Sequence, residues 1–157
     1  MEVERKFRLK KLPDISLGKK KSLTQSYLFS YPGELRVRKA DAARIITIKG
    51  EGDLARNEWE SVIPEWAYLV LLEQCKGNDI NKTRHQLDKT TSIDVYHSYL
   101  DGLIILEVEF SSVAEAKKYK LPKWATGAVE VTDQSEYKNK QLYQKDSPPD
   151  WPNDILK

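Results

Sequence analysis

The chain begins with MEVERKFRLK (Met1–Lys10), a segment in which charged and apolar residues alternate. Successive side chains of an extended strand point to opposite faces, so Glu2, Glu4 and Lys6 share one face of a predicted strand. One strand of this kind is typical of the solvated face of an ordinary antiparallel sheet. The rest of the sequence must therefore decide whether these charges have a function.

The composition indicates one domain of moderate size. The chain has 157 residues, enough to bury a core or close a barrel, and its formal net charge of +2 does not favour nucleic-acid binding. With Cys75 as the single cysteine, no intrachain disulfide can form. We see no signal peptide and no apolar run long enough to span a bilayer, so we expect a cytoplasmic protein without a membrane partner. The predicted domain covers residues 1–145, and residues 146–157 are expected to form a loosely ordered tail.

The same alternation recurs along the chain and predicts about eight strands with short antiparallel connections. After the first strand, the predicted strands cover residues 22–29, 34–38, 44–49, 57–62, 81–87, 92–100 and 103–110. Asp101-Gly102 is typical of a two-residue hairpin between the last two of them. Eight strands can close a barrel and remove the sheet edges. We therefore predict an α+β, mainly β fold: a closed eight-stranded antiparallel β-barrel with covering helices.

Three helices are predicted outside the strands. Pro64 suits the first turn of a helix over residues 65–76, whose apolar positions lie on one side and need a surface to cover. Ser112 and Glu115 have the spacing of a capping box and predict a short helix to about residue 119. Asp133 can cap a third helix over residues 134–144.

On most strands the alternation places charged side chains on one face and large apolar side chains on the other. The charged face carries the acids Glu2, Glu4, Glu58, Glu60, Asp94, Glu107 and Glu109 and the bases Lys6, Arg36, Arg38, Lys49, Lys82 and Arg84. Two arrangements are open. The charges can be solvated around an apolar interior, or they can line a wet tunnel whose apolar exterior is covered by helices. The one-sided helices favour the tunnel.

A tunnel that holds both signs of charge suits a linear polyphosphate together with a divalent cation. Arginine and lysine bind phosphate oxygens, whereas glutamate and aspartate supply oxygen ligands for Mg²⁺ or Mn²⁺. A non-catalytic polyphosphate-binding module could use the same basic residues. Such a module gains nothing from seven carboxylates in one cavity, so the acids favour a metalloenzyme.

The ordered set of charged pairs resembles the CYTH domain of the triphosphate tunnel metalloenzyme family, from Glu2 to about Lys140. The opening Glu-x-Glu-x-Lys signature of the family stands here as Glu2-Val3-Glu4-Arg5-Lys6. The later signatures correspond to Arg36-Val37-Arg38, Thr47-Ile48-Lys49, Glu58-Trp59-Glu60, Lys82-Thr83-Arg84, Glu107-Val108-Glu109 and Tyr137-Lys138-Asn139. The resemblance implies an eight-stranded tunnel, dependence on a divalent metal and small-molecule triphosphate substrates. The compact length is similar to that of short bacterial members that favour inorganic tripolyphosphate.

These observations together predict a metal-dependent hydrolase that converts tripolyphosphate to pyrophosphate and phosphate. The predicted phosphate-binding residues are Lys6, Arg36, Arg38, Lys49, Lys82 and Arg84; the predicted ligands of Mg²⁺ or Mn²⁺ are Glu2, Glu4, Glu60, Asp94, Glu107 and Glu109; the residues predicted to be catalytic are Glu2, Glu4, Lys6 and Lys49. Lys138 is expected to lie on a covering helix rather than in the tunnel. The alternatives are a nucleoside or thiamine triphosphatase, an adenylate cyclase of the CYTH type, and the polyphosphate-binding module; a homodimer is also left open.

Overall fold

The computed structural model describes residues 1–152, which form ten β-strands and three α-helices. The strands are β1 (Glu2–Arg8), β2 (Lys19–Phe29), β3 (Glu34–Ala40), β4 (Ala43–Lys49), β5 (Ala55–Arg56), β6 (Glu58–Val62), β7 (Lys76–Gln86), β8 (Thr91–Tyr96), β9 (Ile104–Glu109) and β10 (Val129–Glu130). The helices are α1 (Glu65–Glu73), α2 (Val113–Lys118) and α3 (Asn139–Leu142). The eight longer strands correspond to those expected from the sequence, and the two-residue strands β5 and β10 are additional.

The strands form one antiparallel sheet that nearly closes into a barrel. Their order is β10-β1-β9-β8-β7-β2-β3-β4-β6, and β5 also pairs with β1. In this pairing Glu2 lies opposite Arg56 and Val3 lies opposite Ala55. Because a single residue separates β5 from β6, the short β5 pairing joins the two ends of the sheet. The antiparallel barrel predicted from the sequence is confirmed.

The inward faces of the strands are charged towards one end of the barrel and apolar towards the other. On β7, Ile80 lies two residues before Lys82, and on β9, Ile105 lies two residues before Glu107, so each pair shares a face. The apolar end is filled by a core cluster to which the strands and the C-terminal segment both contribute. Its buried members are Tyr27, Ile80, Tyr96, Leu100, Leu103, Ile105, Val131, Tyr137, Leu142 and Tyr143. The C-terminal segment therefore fills this end of the barrel.

A second core cluster covers the outer faces of β1, β8 and β9. The strand side chains Phe7, Ile93 and Leu106 belong to this cluster, and Tyr119 and Trp124 from the segment after α2 pack against it. The Oγ of Ser112 accepts a hydrogen bond from the backbone N–H of Glu115 at 3.1 Å, which confirms the predicted cap of α2. This part of the exterior is covered as the tunnel arrangement requires.

Helix α1 covers the barrel less completely than the sequence predicts. It ends at Glu73, and the buried residue in it is Tyr68. Trp66, Leu69 and Val70 are 71%, 49% and 57% exposed, so the prediction that the apolar side of this helix lies against the barrel was wrong. The helix is held instead at its first turns, where Arg44 forms an ion pair with the exposed carboxylate of Glu65 and lies over the ring of Tyr68. Among residues 1–152, no helix combines the length and the apolar character needed to cross a membrane.

Two predicted connections differ from the structure. Strand β8 ends at Tyr96, and a 3₁₀ turn at Ser98–Leu100 precedes Asp101, so the connection to β9 is longer than a two-residue hairpin. The segment 134–144 is not one helix either. It forms a 3₁₀ turn at Ser135–Tyr137 and then α3, because Lys138 between them has extended backbone angles.

The C-terminal tail contacts the end of β1, where the sequence suggested loose order. The Nη1 of Arg8 donates to the carbonyl oxygens of Pro149 at 2.6 Å and Asp150 at 3.0 Å. The hydroxyl of Tyr137 also donates to Asp150 O at 3.0 Å, and the Trp151 ring lies 5.4 Å from the guanidinium carbon of Arg8. The tail is therefore docked as far as Trp151. The rest of the predicted tail, residues 153–157, lies outside the described residues.

Candidate active site

A cavity of about 150 Å³ occupies the charged end of the barrel, and each residue that lines it carries a charge or a carboxamide. The lining residues are Glu2, Glu4, Lys6, Gln25, Arg36, Arg38, Lys49, Glu58, Glu60, Lys82, Arg84, Glu107, Glu109 and Asn139. The charged faces of the strands therefore point inward, as in the tunnel arrangement. Of the predicted site residues, Asp94 is the one that does not line this cavity.

Carboxylates from β1 and β9 converge at one side of the cavity. Glu2, Glu4 and Glu109 each place an oxygen within 4.8 Å of the others. The register explains this, because Glu4 lies opposite Glu109 and Lys6 lies opposite Glu107 in the β1–β9 pairing. Burial raises the pKa of Glu4, and although Lys6 opposes this effect, the nearby Glu107 and Glu2 carboxylates add to it. A cluster of hard oxygen donors with excess negative charge fits a divalent cation such as Mg²⁺ or Mn²⁺.

Arginines from β3 and β7 supply positive charge to the same cavity. The Nε atoms of Arg36 and Arg38 are buried and have no hydrogen-bond partner among the described residues. Burial and the neighbouring guanidinium groups of Arg36 and Arg84 lower the pKa of Arg38 to about 10, so Arg38 remains charged at neutral pH. Guanidinium groups with unpaired Nε donors, of which that of Arg38 is also repelled by its neighbours, are suited to bind the oxygens of a phosphate chain.

Asp94 lies behind two of the predicted phosphate-binding residues. Its oxygens accept from Nε and Nη2 of Arg84 at 2.7 and 2.9 Å, and Lys82 Nζ lies 2.7 Å from Oδ2. Burial disfavours the Asp94 carboxylate, but Arg84 and Lys82 outweigh this effect and hold the pKa of Asp94 below its usual range. Both oxygens are therefore engaged by cations, and the side chain orients Lys82 and Arg84. Metal binding by Asp94 stays a prediction.

Comparison with known proteins identifies the family. The model of the CYTH domain matches residues 1–144. This chain belongs to the CYTH family. An inorganic triphosphatase from Nitrosomonas europaea is 34% identical to this CYTH protein over 147 residues, which cover 90% of this chain and 95% of the relative.

Solved structures agree with this assignment. The crystal structure of an inorganic triphosphatase superposes on this CYTH domain with a TM-score of 0.64 at 31% identity, covering 95% of this chain and 97% of that one. A putative adenylyl cyclase from Hippeastrum, described as having a dominant triphosphatase activity, has a TM-score of 0.54 at 17% identity and covers 75% of this chain and 83% of its own. At that identity, the second likeness shows the fold alone.

A chain of alternating charges lies where β5 meets β1 and joins the two ends of the sheet in this CYTH barrel. Lys49 Nζ donates to both oxygens of Glu2 at 2.9 and 3.0 Å and lies 3.2 Å from Glu58. Arg56 Nε contacts the same Glu2 at 3.3 Å, and Arg56 Nη1 donates to Glu34 at 2.8 Å. Burial acts to raise the pKa of Glu2, but these partners, Lys49 foremost, lower it to about 2. Glu2 is therefore ionised throughout the neutral range.

Sequence reasoning missed two members of this chain, Glu34 and Arg56. Glu34 lies two residues before Arg36 on β3, so the same alternation could have identified it. Arg56 follows a loop with two glycines and belongs to a strand of two residues. A two-residue strand has no periodicity of its own, which is why its direction is not evident from the sequence.

The C-terminal segment contributes an amide to the cavity rather than an amine. Lys138 Nζ donates to the carbonyl of Gly52 at 3.0 Å and also contacts the Asp53 carboxylate, away from the cavity wall. The next residue, Asn139, lines the cavity, and its Oδ1 accepts a hydrogen bond from the Tyr96 hydroxyl at 2.7 Å. Lys138 thus holds the loop between β4 and β5.

Proposed function

We propose that this CYTH domain hydrolyses inorganic triphosphate in a reaction that depends on a divalent metal ion. The observation that carries the proposal is a single cavity in which the carboxylates of Glu2, Glu4 and Glu109 meet arginines with unpaired donors. The 34% identity to an inorganic triphosphatase over nearly the whole of both chains supports the choice of substrate.

The basic residues of the cavity bind and orient the phosphate chain in this proposal. Guanidinium groups bind phosphate oxygens in bidentate fashion, whereas ammonium groups act as point charges. The proposed set is the predicted one: Lys6, Arg36, Arg38, Lys49, Lys82 and Arg84. Because these groups are fixed on strands and by ion pairs, they neutralise the charge of the substrate without reorganising during the reaction.

The acidic residues hold the metal. Glu2, Glu4 and Glu109 form the cluster, and Glu107 and Glu60 line the same cavity. A bound Mg²⁺ or Mn²⁺ supplies Lewis-acid stabilisation of the phosphoryl oxygens. Lys6 Nζ, at 3.7 Å from Glu4 and 3.8 Å from Glu107, keeps these two buried carboxylates compensated and aimed into the cavity.

Catalysis then consists of positioning and charge neutralisation. Water attacks the terminal phosphorus, the bond to the bridging oxygen breaks, and pyrophosphate and phosphate leave, with the proton of the water passing to solvent. Holding the reacting groups in one geometry and neutralising the developing charge supply the acceleration. No covalent intermediate with the protein is needed.

A substrate and metal panel tests the proposal. Phosphate release is measured from tripolyphosphate, ATP and thiamine triphosphate, each with Mg²⁺, with Mn²⁺ and with chelator, and cyclic AMP is assayed in the ATP reactions. We expect metal-dependent release with a strong preference for tripolyphosphate. Tight metal-free binding of polyphosphate without turnover would instead indicate the binding module, and cyclic AMP formation would indicate a cyclase. The homodimer stays a prediction that the molecular mass in solution tests.

A further inference from the structure

Arg56 lies on β5, one of the two shortest strands, where the two ends of the sheet meet. β6 pairs with β4, and the free side of β1 is met at its start by β5 and near its end by β10. The backbone N–H of Glu4 also donates to the carbonyl of Leu54 at 3.1 Å. The position of the carboxylates at the start of β1 therefore depends on the segment that contains Arg56.

The side chain of Arg56 bridges two carboxylates on different strands, the buried Glu34 and the partly buried Glu2. Arg56 is 8% exposed and Glu34 is 2% exposed, and Nη1 of the arginine donates to Glu34 Oε1 at 2.8 Å. Its Nε lies 3.3 Å from Oε1 of Glu2. Glu34 on β3 therefore anchors a guanidinium on β5, which in turn contacts a carboxylate on β1.

The orientation of Glu2 is thus fixed from two sides. Lys49 Nζ lies 2.9 Å from Oε1 and 3.0 Å from Oε2, and Arg56 approaches Oε1 alone. The carboxylate cannot rotate without losing one of these contacts. Glu2 also repels Glu4 and Glu109, so without such partners it would turn away from them.

We propose that Arg56 is a positioning residue that sets the Glu2 carboxylate within the cluster of Glu2, Glu4 and Glu109, and that Glu34 holds Arg56 in place. The inference rests on the proposed function in that the cluster is taken to bind the metal. Arg56 contributes to metal binding through geometry, since an arginine that acted through charge alone would weaken the affinity of the cluster for a cation.

A positioning role and a purely electrostatic role predict opposite changes in Mn²⁺ affinity when Arg56 is replaced. Calorimetric titration of Mn²⁺ into the substrate-free protein therefore tests the proposal directly. Arg56→Lys keeps the charge but cannot reach both carboxylates, and Arg56→Gln removes the charge. Positioning predicts weaker Mn²⁺ binding in both variants, by roughly tenfold or more, as for other residues that orient metal ligands. Tighter binding in Arg56→Gln with unchanged binding in Arg56→Lys would show a purely electrostatic role and overturn the proposal.

Two further measurements separate positioning from support of the fold. Thermal unfolding of the metal-free variants reports loss of stability, and unchanged Mn²⁺ affinity in a destabilised Arg56→Lys protein would also overturn the proposal. Glu34→Gln should weaken Mn²⁺ binding in the wild-type background and add nothing in the Arg56→Lys background; additive effects would mean that Glu34 does not act through Arg56. Arg44→Lys, at an ion pair outside the barrel, is the matched control with affinity within about twofold of wild type.

The titration also distinguishes this inference from the proposed function. Wild-type protein that binds Mn²⁺ but releases no phosphate from tripolyphosphate would contradict the hydrolase and leave the role of Arg56 measurable. Wild-type protein that does not bind Mn²⁺ would overturn the role of Arg56, because the cluster would then hold no metal.

Discussion

Lys82 Nζ lies 2.7 Å from Oδ2 of Asp94, and neither side chain is exposed to solvent. Arg84 binds both oxygens of the same carboxylate, so one buried anion supports two cations. A buried charge that loses its partner keeps the full cost of its desolvation. The pair therefore connects the stability of the barrel with the phosphate-binding side of the cavity.

The first prediction concerns this pair. Asp94→Asn should lower the free energy of unfolding by about 3–5 kcal/mol, the cost of leaving a buried charge uncompensated. Urea unfolding followed by circular dichroism measures the change. Glu130→Gln, which breaks the partly exposed ion pair with Arg5, is the control and should cost about 0–1 kcal/mol. An equal decrease in the free energy of unfolding in the two variants would contradict the view that Asp94 and its partners are shielded from solvent.

The second prediction concerns turnover. Glu4→Gln keeps the size of a buried member of the carboxylate cluster but removes its charge. Hydrolysis of tripolyphosphate should fall by roughly two orders of magnitude or more, as when a charge-stabilising group is lost. Steady-state phosphate release measures this, and a wild-type circular dichroism spectrum verifies the fold. Glu51→Gln, an exposed residue on the loop after β4, should behave as wild type; full activity in Glu4→Gln would remove Glu4 from the site.

The third prediction concerns metal and stability. Because Glu2, Glu4 and Glu109 repel one another, Mn²⁺ should stabilise the folded state, by about 2.7 kcal/mol at a hundredfold excess over Kd. Thermal unfolding with Mn²⁺ and with chelator measures the shift. Glu4→Gln should lose most of the response. A shift of equal size in that variant would place the stabilising ion elsewhere.

Strand alternation predicted most of the residues that line the cavity, because the barrel preserves this alternation. The period of two placed Arg36 and Arg38 on one face, and the β1–β9 register then brought Glu4 opposite Glu109. The charged face could be predicted without knowing the order of the strands in the sheet. Which carboxylates would meet depended on the register, and that information is not local.

The features that sequence reasoning did not recover depend on distant contacts. The apolar side of α1 is visible as a pattern, but the pattern does not say whether a surface covers Trp66. The proline-rich tail has the composition of a loose end, yet Arg8 binds it through the carbonyls of Pro149 and Asp150. Backbone acceptors leave no signature in side-chain composition.

The fourth prediction concerns this tail. A chain that ends at Lys145 should be less stable than one that ends at Pro152 by about 1–3 kcal/mol, because Arg8 is buried and would lose two acceptors. Urea unfolding of the two chains measures the difference. Asp150→Asn keeps the carbonyl and should leave stability unchanged. Equal stability of the two shortened chains would mean that water replaces the tail at Arg8.

The fifth prediction concerns the single cysteine. Burial, with a smaller contribution from the Asp79 carboxylate, raises the pKa of Cys75 from 9.0 to about 11, and the thiol also donates to the carbonyl of Leu71 at 3.4 Å. At a pKa of about 11, the thiolate fraction at neutral pH is roughly a hundredfold lower than for a free thiol. A more basic thiolate is a better nucleophile, which offsets part of this loss in rate. Alkylation should therefore be about tenfold slower than for a free thiol. The rate with iodoacetamide should keep rising with pH beyond 10, where circular dichroism must show a folded protein. A plateau near pH 9 would mean that Cys75 is solvated in the folded state, and that the end of α1 opens readily enough to expose it.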